Sequence, residues 1–382
     1  MKIGFLTPEF PHPKFGHSGG IGTSILNLSK GLSQLGNQVS IFVYGQSEDE
    51  VFEEDGITFY RIKNVKIKGL SLFFTQKKVQ KLVNSLVKKN QLDLLESPDW
   101  TGFSSNIKAK CPLVVKLHGS DTYFCHLDKR PVKFKNKYNE KKALKNADAI
   151  ASVSEYTANV TRELFDLDRK IEVIPNSIDL KQFSAIDSNS DHIILYFGTL
   201  IRKKGLLELP LIFNEVYKQN QEAKLVLVGK DTPDVLSGND STWTIMQKLF
   251  DTKALENVTY LGSVSYDKIK TLISNATLCV FPTFAEALPV SWIESMAMEK
   301  PVVASNIGWA KEIIEDGKEG YLVDPKSHHE FAEKINKLLL DKELSLKFGK
   351  ASRAKVILKF SLEVVANQNV DFYKKVLSNW HR

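Results

Sequence analysis

Along the 382 residues, apolar positions fall into two alternating rhythms. Short β-branched runs are followed by longer stretches whose apolar residues recur every three to four positions. That alternation predicts parallel sheets wrapped by helices. In the first half, strands are predicted at residues 2–6, 38–44, 92–96, 113–117, 149–152 and 171–174, and helices near 22–35, 75–90, 135–146 and 154–165. Gly36 stands where a glycine would end the first of these helices.

The pattern breaks after Ile174. Residues 175–191 are rich in Ser, Asn and Asp and lack apolar periodicity, which marks a linker. It then restarts with strands at 193–198, 224–229, 258–261, 277–281 and 301–304, and helices at 205–218, 266–274, 289–298 and 310–314, before a helical tail. The predicted class is α/β: two Rossmann-like domains, facing each other across a cleft. Ligands of such open sheets bind at the carboxyl edges of the strands.

Two signals carry chemistry in the second half. The run Phe281-Pro-Thr-Phe-Ala-Glu-Ala-Leu-Pro-Val-Ser-Trp-Ile-Glu294 reads as strand, loop and helix, with Pro289 suited to the first helical turn. The backbone N–H groups of Ala287 and Leu288 would then face an anion at a helix start. Glu286 could accept hydrogen bonds from sugar hydroxyls, and Glu294 from a second polyol such as ribose. The run Tyr196-Phe-Gly-Thr-Leu-Ile-Arg-Lys-Lys-Gly205 places Arg202, Lys203 and Lys204 in a turn at another strand end. A basic turn is often simply solvated, yet fixed cations there could offset charge on a departing diphosphate.

Together these segments resemble the donor site of glycosyltransferase family 4, the large retaining GT-B family. Glu286 and Glu294 match its Glu-x7-Glu motif, and Val173-Ile-Pro-Asn-Ser-Ile-Asp179 resembles its Pro-Asn-Gly-Val-Asp linker signature, with Ser177 in place of the glycine. Glu294-Ser-Met-Ala and Gly320-Tyr-Leu-Val-Asp-Pro agree with the same pattern. The resemblance implies that Lys204 binds the donor diphosphate, Glu286 holds the transferred sugar, Glu294 holds the ribose, and Gly262 and Ser263 meet the base. One departure is that Thr199 stands where the family has an arginine, and Arg202 would supply that cation. It also implies a last helix, 361–382, that crosses back to the first domain, giving domains 1–178 plus 361–382 (acceptor) and 179–360 (donor).

In the first half, Phe15-Gly-His-Ser-Gly-Gly-Ile-Gly22 follows the first strand and opens a helix, and its glycines would let backbone N–H groups approach an anion. A full dinucleotide fingerprint is missing, and no acidic residue closes the second strand. The resemblance assigns Gly19 and Gly20 to the donor phosphates, Glu9 to the acceptor side and His118 to the donor sugar. On the residues alone His118 reads as a half-buried histidine ending a strand, and only the resemblance gives it more. Asp99 and Trp100, in Glu96-Ser-Pro-Asp-Trp100, could line the acceptor side, or be a helix-capping aspartate beside a packed tryptophan. His17 replaces the lysine that a glycogen or starch synthase would carry before its Gly-Gly pair.

Composition narrows the class further. Three cysteines without metal-ligand spacing fit free thiols in a reducing cytoplasm. No apolar run reaches the ~20 residues of a membrane span, and the polar start does not resemble a signal peptide. Net charge is +7, and the excess is clustered: nine Lys or Arg and no acid from Arg61 to Asn90, and eight against Glu140 alone from Lys129 to Lys145. Solvated helix faces or attraction to anionic lipid or acceptor both fit; no nucleic-acid motif accompanies the charge.

The expected function is a retaining, metal-independent transfer of a hexose or N-acetylhexosamine from a nucleotide sugar (UDP first, GDP-mannose second). The acceptor would be a sugar, lipid-linked or other anionic molecule in cell-surface polysaccharide or glycolipid synthesis, met in the cytoplasm or at the inner membrane face. No cofactor or metal is expected, since the Asp-Leu-Asp triplet at Asp166 follows a first-half helix, away from the donor loops in sequence. The alternatives are a GT-B phosphorylase, a glycogen- or starch-synthase-like enzyme, or a non-catalytic glycan-binding relative.

Overall fold

The computed structural model describes residues 1–16, 18–184 and 192–380. His17 and the second half of the expected linker, 185–191, lie outside the described residues. The chain divides into two compact units, Met1–Ser177 with Phe360–Arg382, and Ile178–Lys359.

The first unit holds strands β1 (Lys2–Thr7), β2 (Gln38–Gln46), β3 (Glu50–Glu54), β4 (Ile57–Lys63), β5 (Leu94–Pro98), β6 (Leu113–Leu117), β7 (Ala149–Ser152) and β8 (Ile171–Val173). They form one eight-stranded sheet in the order β3-β4-β2-β1-β5-β6-β7-β8. All neighbours are parallel except β3, which runs antiparallel to β4. The apolar alternation locates six of these strands and misses the β3–β4 hairpin. Its signal was the turn Asp55-Gly56, where both residues take positive φ, 50° and 74°, as a two-residue hairpin of this hand requires. The acidic sequence Glu-Val-Phe-Glu-Glu of β3 hid it, because an edge strand exposed on both sides shows little apolar rhythm.

The helix Gly20–Gln34 ends as expected at Gly36: the Gly36 N–H donates to Ser33 O and the Asn37 N–H to Leu32 O. Its apolar face, Ile25, Leu28 and Leu32, packs with Ile3, Phe5 and Ile41 of the sheet and with Val365, Phe372, Tyr373 and Val376 of the last helix, Leu362–Ser378. Inside this core Tyr373 donates to Glu96 Oε2 at 2.7 Å, a contact between residues 277 positions apart.

The second unit holds β9 (Ile193–Phe197), β10 (Lys224–Val228), β11 (Val258–Tyr260), β12 (Leu278–Phe281), β13 (Val302–Ser305) and β14 (Gly320–Val323), all parallel. Their order, β11-β10-β9-β12-β13-β14, places β9 beside β12. From β9 the chain winds to one side through β10 and β11, then returns to β12 and winds to the other. That reversal opens a crevice at the carboxyl ends of β9 and β12, the standard ligand position in such sheets. In the first unit the same reversal falls between β1 and β5. Sequence periodicity does not separate β14, nor the helices Asp121–Leu127, Thr242–Gln247 and Thr252–Leu255; the tail is three helices, His328–Leu340, Lys342–Lys359 and Leu362–Ser378, of which the last matches the helix expected at 361–382.

Candidate functional site

At the switch point of the second unit, the segment after β9 turns through a short 3-10 helix, Arg202–Lys204, into Gly205. Gly205 has φ of 73°, and a Cβ there would sit 1.8 Å from Pro282 O. Only glycine lets the basic turn lie against the β12 loop. The contact is reinforced by Phe284 and Ala285, whose N–H groups donate to Lys203 O at 2.9 and 3.3 Å. Two loops distant in sequence thus become one surface.

On that surface Lys204 Nζ lies 3.0 Å from Glu286 Oε1. The ammonium also curls over the strand-end glycine: a Cβ on Gly198 would meet it at 3.4 Å. Beneath them the buried Tyr196 hydroxyl donates to Thr199 O at 3.1 Å. Burial holds that phenol well above its usual range, and the charge of Glu286 adds to the effect. Ala287 and Leu288 lie buried between Glu286 and the helix Val290–Ala297. Pro289, expected within the first turn, stands one place earlier as its N-cap, with ψ of 117°.

Glu294 is buried within that helix and accepts a hydrogen bond from the Tyr266 hydroxyl. Burial pushes its carboxyl up to about 7, against the opposing pull of Tyr266 and Lys204. Tyr266 in turn packs edge-on against Phe183, with centroids 5.6 Å apart. Gly262 follows β11 with φ of 66°, and its carbonyl accepts from the Gly229 N–H at 2.9 Å, while Ser263 is exposed beside it.

Arg202 differs from its expected part. Its guanidinium forms a two-pronged pair with Asp234, at 2.8 and 2.6 Å. Asp234 also accepts from the Ser237 N–H and hydroxyl, and its carboxyl lies well below the usual range because of Arg202 first. Arg202 is therefore already committed to an internal carboxylate and anchors the turn. Tyr196, Asp234 and Tyr266 had no role in the sequence reading. A buried hydroxyl or carboxylate far away along the chain leaves no local pattern.

The first-unit candidates gather at its own switch point. Gly19 is the N-cap of helix Gly20–Gln34, with no side-chain capping bond. Instead the carboxylate of Glu9 reaches the helix start and accepts from the Gly22 N–H at 2.9 Å. The anion position expected for a phosphate therefore holds an internal carboxylate, favoured by the helix dipole. Nearby in the fold, Asp99 directly follows β5 and Trp100 opens the 3-10 segment Trp100–Asn106. Asp99 does not cap that segment; its Oδ1 accepts the His118 N–H at 2.9 Å, and Oδ2 is buried without a partner among the described residues. Burial raises the Asp99 carboxyl to about 8 and lowers His118 to about 3, Lys116 adding to the latter. At neutral pH both are uncharged. Trp100 stands edge-on to Phe124, centroids 6.5 Å apart. Among the described residues no group of three His, Cys, Asp or Glu is placed to hold a metal ion. No described helix is long and apolar enough to cross a membrane.

Comparison with known proteins agrees with this architecture. Residues 178–355 match the family described as "Glycosyl transferases group 1", and residues 18–182 match "Glycosyltransferase Family 4". An uncharacterized glycosyltransferase of Methanocaldococcus jannaschii is 24% identical, with 98% of each chain covered. Among solved structures, the sucrose-phosphate synthase of Thermosynechococcus elongatus superposes with a TM-score of 0.80 at 20% identity, covering 100% of both chains. HepE of Anabaena, in complex with UDP and glucose, gives 0.76 at 20% identity, covering 98% of this chain and 99% of its own.

Proposed function

This chain belongs to the family 4 glycosyltransferases of the GT-B fold, and from that premise we propose that it moves a hexose or N-acetylhexosamine from a UDP-sugar to an acceptor, retaining the anomeric configuration. The observation that carries this reading is the Lys204–Glu286 pair at 3.0 Å, set at the junction of the β9 and β12 loops. Lys204 takes the donor diphosphate, and Glu286 takes hydroxyls of the transferred sugar. Ala287 and Leu288 present the approach to the helix start, Glu294 receives the ribose beside Tyr266, and Gly262 and Ser263 border the base. Arg202 acts through Asp234 to hold the turn that carries Lys204. GDP-mannose is the second donor to test. The UDP found with HepE supports the order of preference.

In this reading the acceptor oxygen attacks the anomeric carbon on the face the nucleotide leaves. The bond from that carbon to the diphosphate breaks, and a donor phosphate oxygen takes the acceptor proton. The protein's contribution is placement and charge stabilisation. Glu9, Gly19 and Gly20 shape the acceptor-side and phosphate loop, and the neutral His118 donates to or accepts from the donor sugar without contributing charge. Protonated Asp99 fixes the His118 backbone, and Trp100 offers an aromatic face to a sugar ring. No metal or other cofactor takes part. The acceptor is an anionic or lipid-linked molecule of cell-surface polysaccharide or glycolipid synthesis, met at the inner membrane face.

A thermal-shift screen over nucleotides and nucleotide sugars, followed by a radiometric transfer assay, tests this. UDP and its sugars should raise the melting temperature. Release of sugar only to inorganic phosphate would make the enzyme a phosphorylase, and no shift with any nucleotide would remove the donor site.

A further inference from the structure

We propose that one end of the first unit is a docking surface for an anionic lipid bilayer, built from two helix starts that each combine exposed aromatic rings with unpaired lysines. The purpose of this surface rests on the lipid-linked acceptor proposed above; its geometry does not. The helices are Ser71–Lys88 and Phe134–Asn146.

Their relative direction follows from what they share. Gln76 donates to Phe103 O, Lys77 to Asn106 O, and the Lys108 N–H to Gln80. A Cβ on Gly102 would strike the backbone of Asn139, while Lys142 donates to Asn106 and Asn146 to Ser105 O. Both helices therefore run in the same sense along residues 102–108, and both begin at the same end.

At that end the apolar groups are uncovered. Phe134 is 83% exposed and Tyr138 56%, their rings stacked with centroids 6.3 Å apart. Phe73 and Phe74 meet edge-on at 5.5 Å at the other helix start, preceded by Leu70, 51% exposed, and Ile67. Isolated exposed apolar residues are ordinary, but six carried on two helix starts at the same end of the unit call for a partner.

Charge selects the partner. Lys66, Lys68, Lys133, Lys135 and Lys137 are exposed and form no ion pair among the described residues. Glu140, the one acid of the second basic run, points inward instead, capping Asp121 and Thr122. Asp121 and Asp128 are engaged by Arg130. The result is a basic rim around aromatic rings. Rings of this kind settle at the headgroup level of a bilayer while lysines stay with anionic phosphates.

Flotation of the full-length protein with vesicles tests the proposal, comparing phosphatidylcholine alone with phosphatidylcholine plus phosphatidylglycerol. Binding is expected with the anionic vesicles only, weakening as salt rises. It should fall about tenfold or more in Phe134→Ser/Tyr138→Ser and in Phe73→Ser/Phe74→Ser, positions whose exposure leaves folding intact. Equal binding to both vesicle types, or aromatic variants that bind as well as the native protein, would overturn it. The UDP thermal shift, measured on the same proteins, should be unchanged by these substitutions. Absence of that shift in the native protein would count against the donor site and leave vesicle binding to stand or fall separately.

Discussion

Lys204 and Glu286 neutralise each other at 3.0 Å, so a donor whose diphosphate takes the amine and whose sugar takes the carboxylate must part them. Lys204→Ala is expected to lower turnover by ~10²-fold, the scale for losing a charge contact in the transition state, and a radiometric assay reads it. Asp99 gives a pH signature. Its folded-state carboxyl is raised to about 8 from the usual 3.8, so its stabilising contribution is full in acid and is lost as pH rises toward 8. Asp99→Asn, neutral throughout, should gain stability relative to the native protein across that window, seen as converging and then crossing melting curves. Glu294, raised to about 7, moves stability in the same direction over a narrower range. At this scale Glu286, Glu294 and Lys204 are legible in the sequence as candidates, because they sit at fixed offsets in recognisable motifs. It did not show that Arg202 is held by Asp234, a partner 32 positions away.

Elements were legible where apolar rhythm was strong and hidden where it was weak. The buried parallel strands β6 and β12 stand out as apolar runs, whereas β3 is largely exposed and acidic. The turn joining β9 to its following helix was visible as a glycine-flanked basic run, but not the reason for its last glycine. That reason is the approach of Pro282 O to Gly205. Gly205→Ala combines an unfavourable φ with a backbone clash and is expected to cost about 3 kcal/mol. Because the displaced turn carries Lys204, the UDP-induced thermal shift should be lost together with that stability, as denaturant melts with and without nucleotide would show.

For the molecule as a whole, UDP at about 100 times its Kd should add ~2.7 kcal/mol to stability, and a chelator should leave turnover unchanged if charge stabilisation is supplied by Lys204 alone. The last helix is as much part of the first core as any strand, through Val365, Phe372, Tyr373 and Val376. Stopping the chain after Ser361 should leave that core open, and rapid amide exchange through β1 and β2 would report it.

The first unit leaves off at Ser177 and resumes at Phe360, with the whole of the second between. During synthesis on the ribosome the wall that closes this core therefore emerges only after the whole of the second unit. The second unit, continuous in sequence, can settle while its neighbour still waits, and a nascent chain paused before Phe360 would offer chaperones an unfinished sheet beside a finished one.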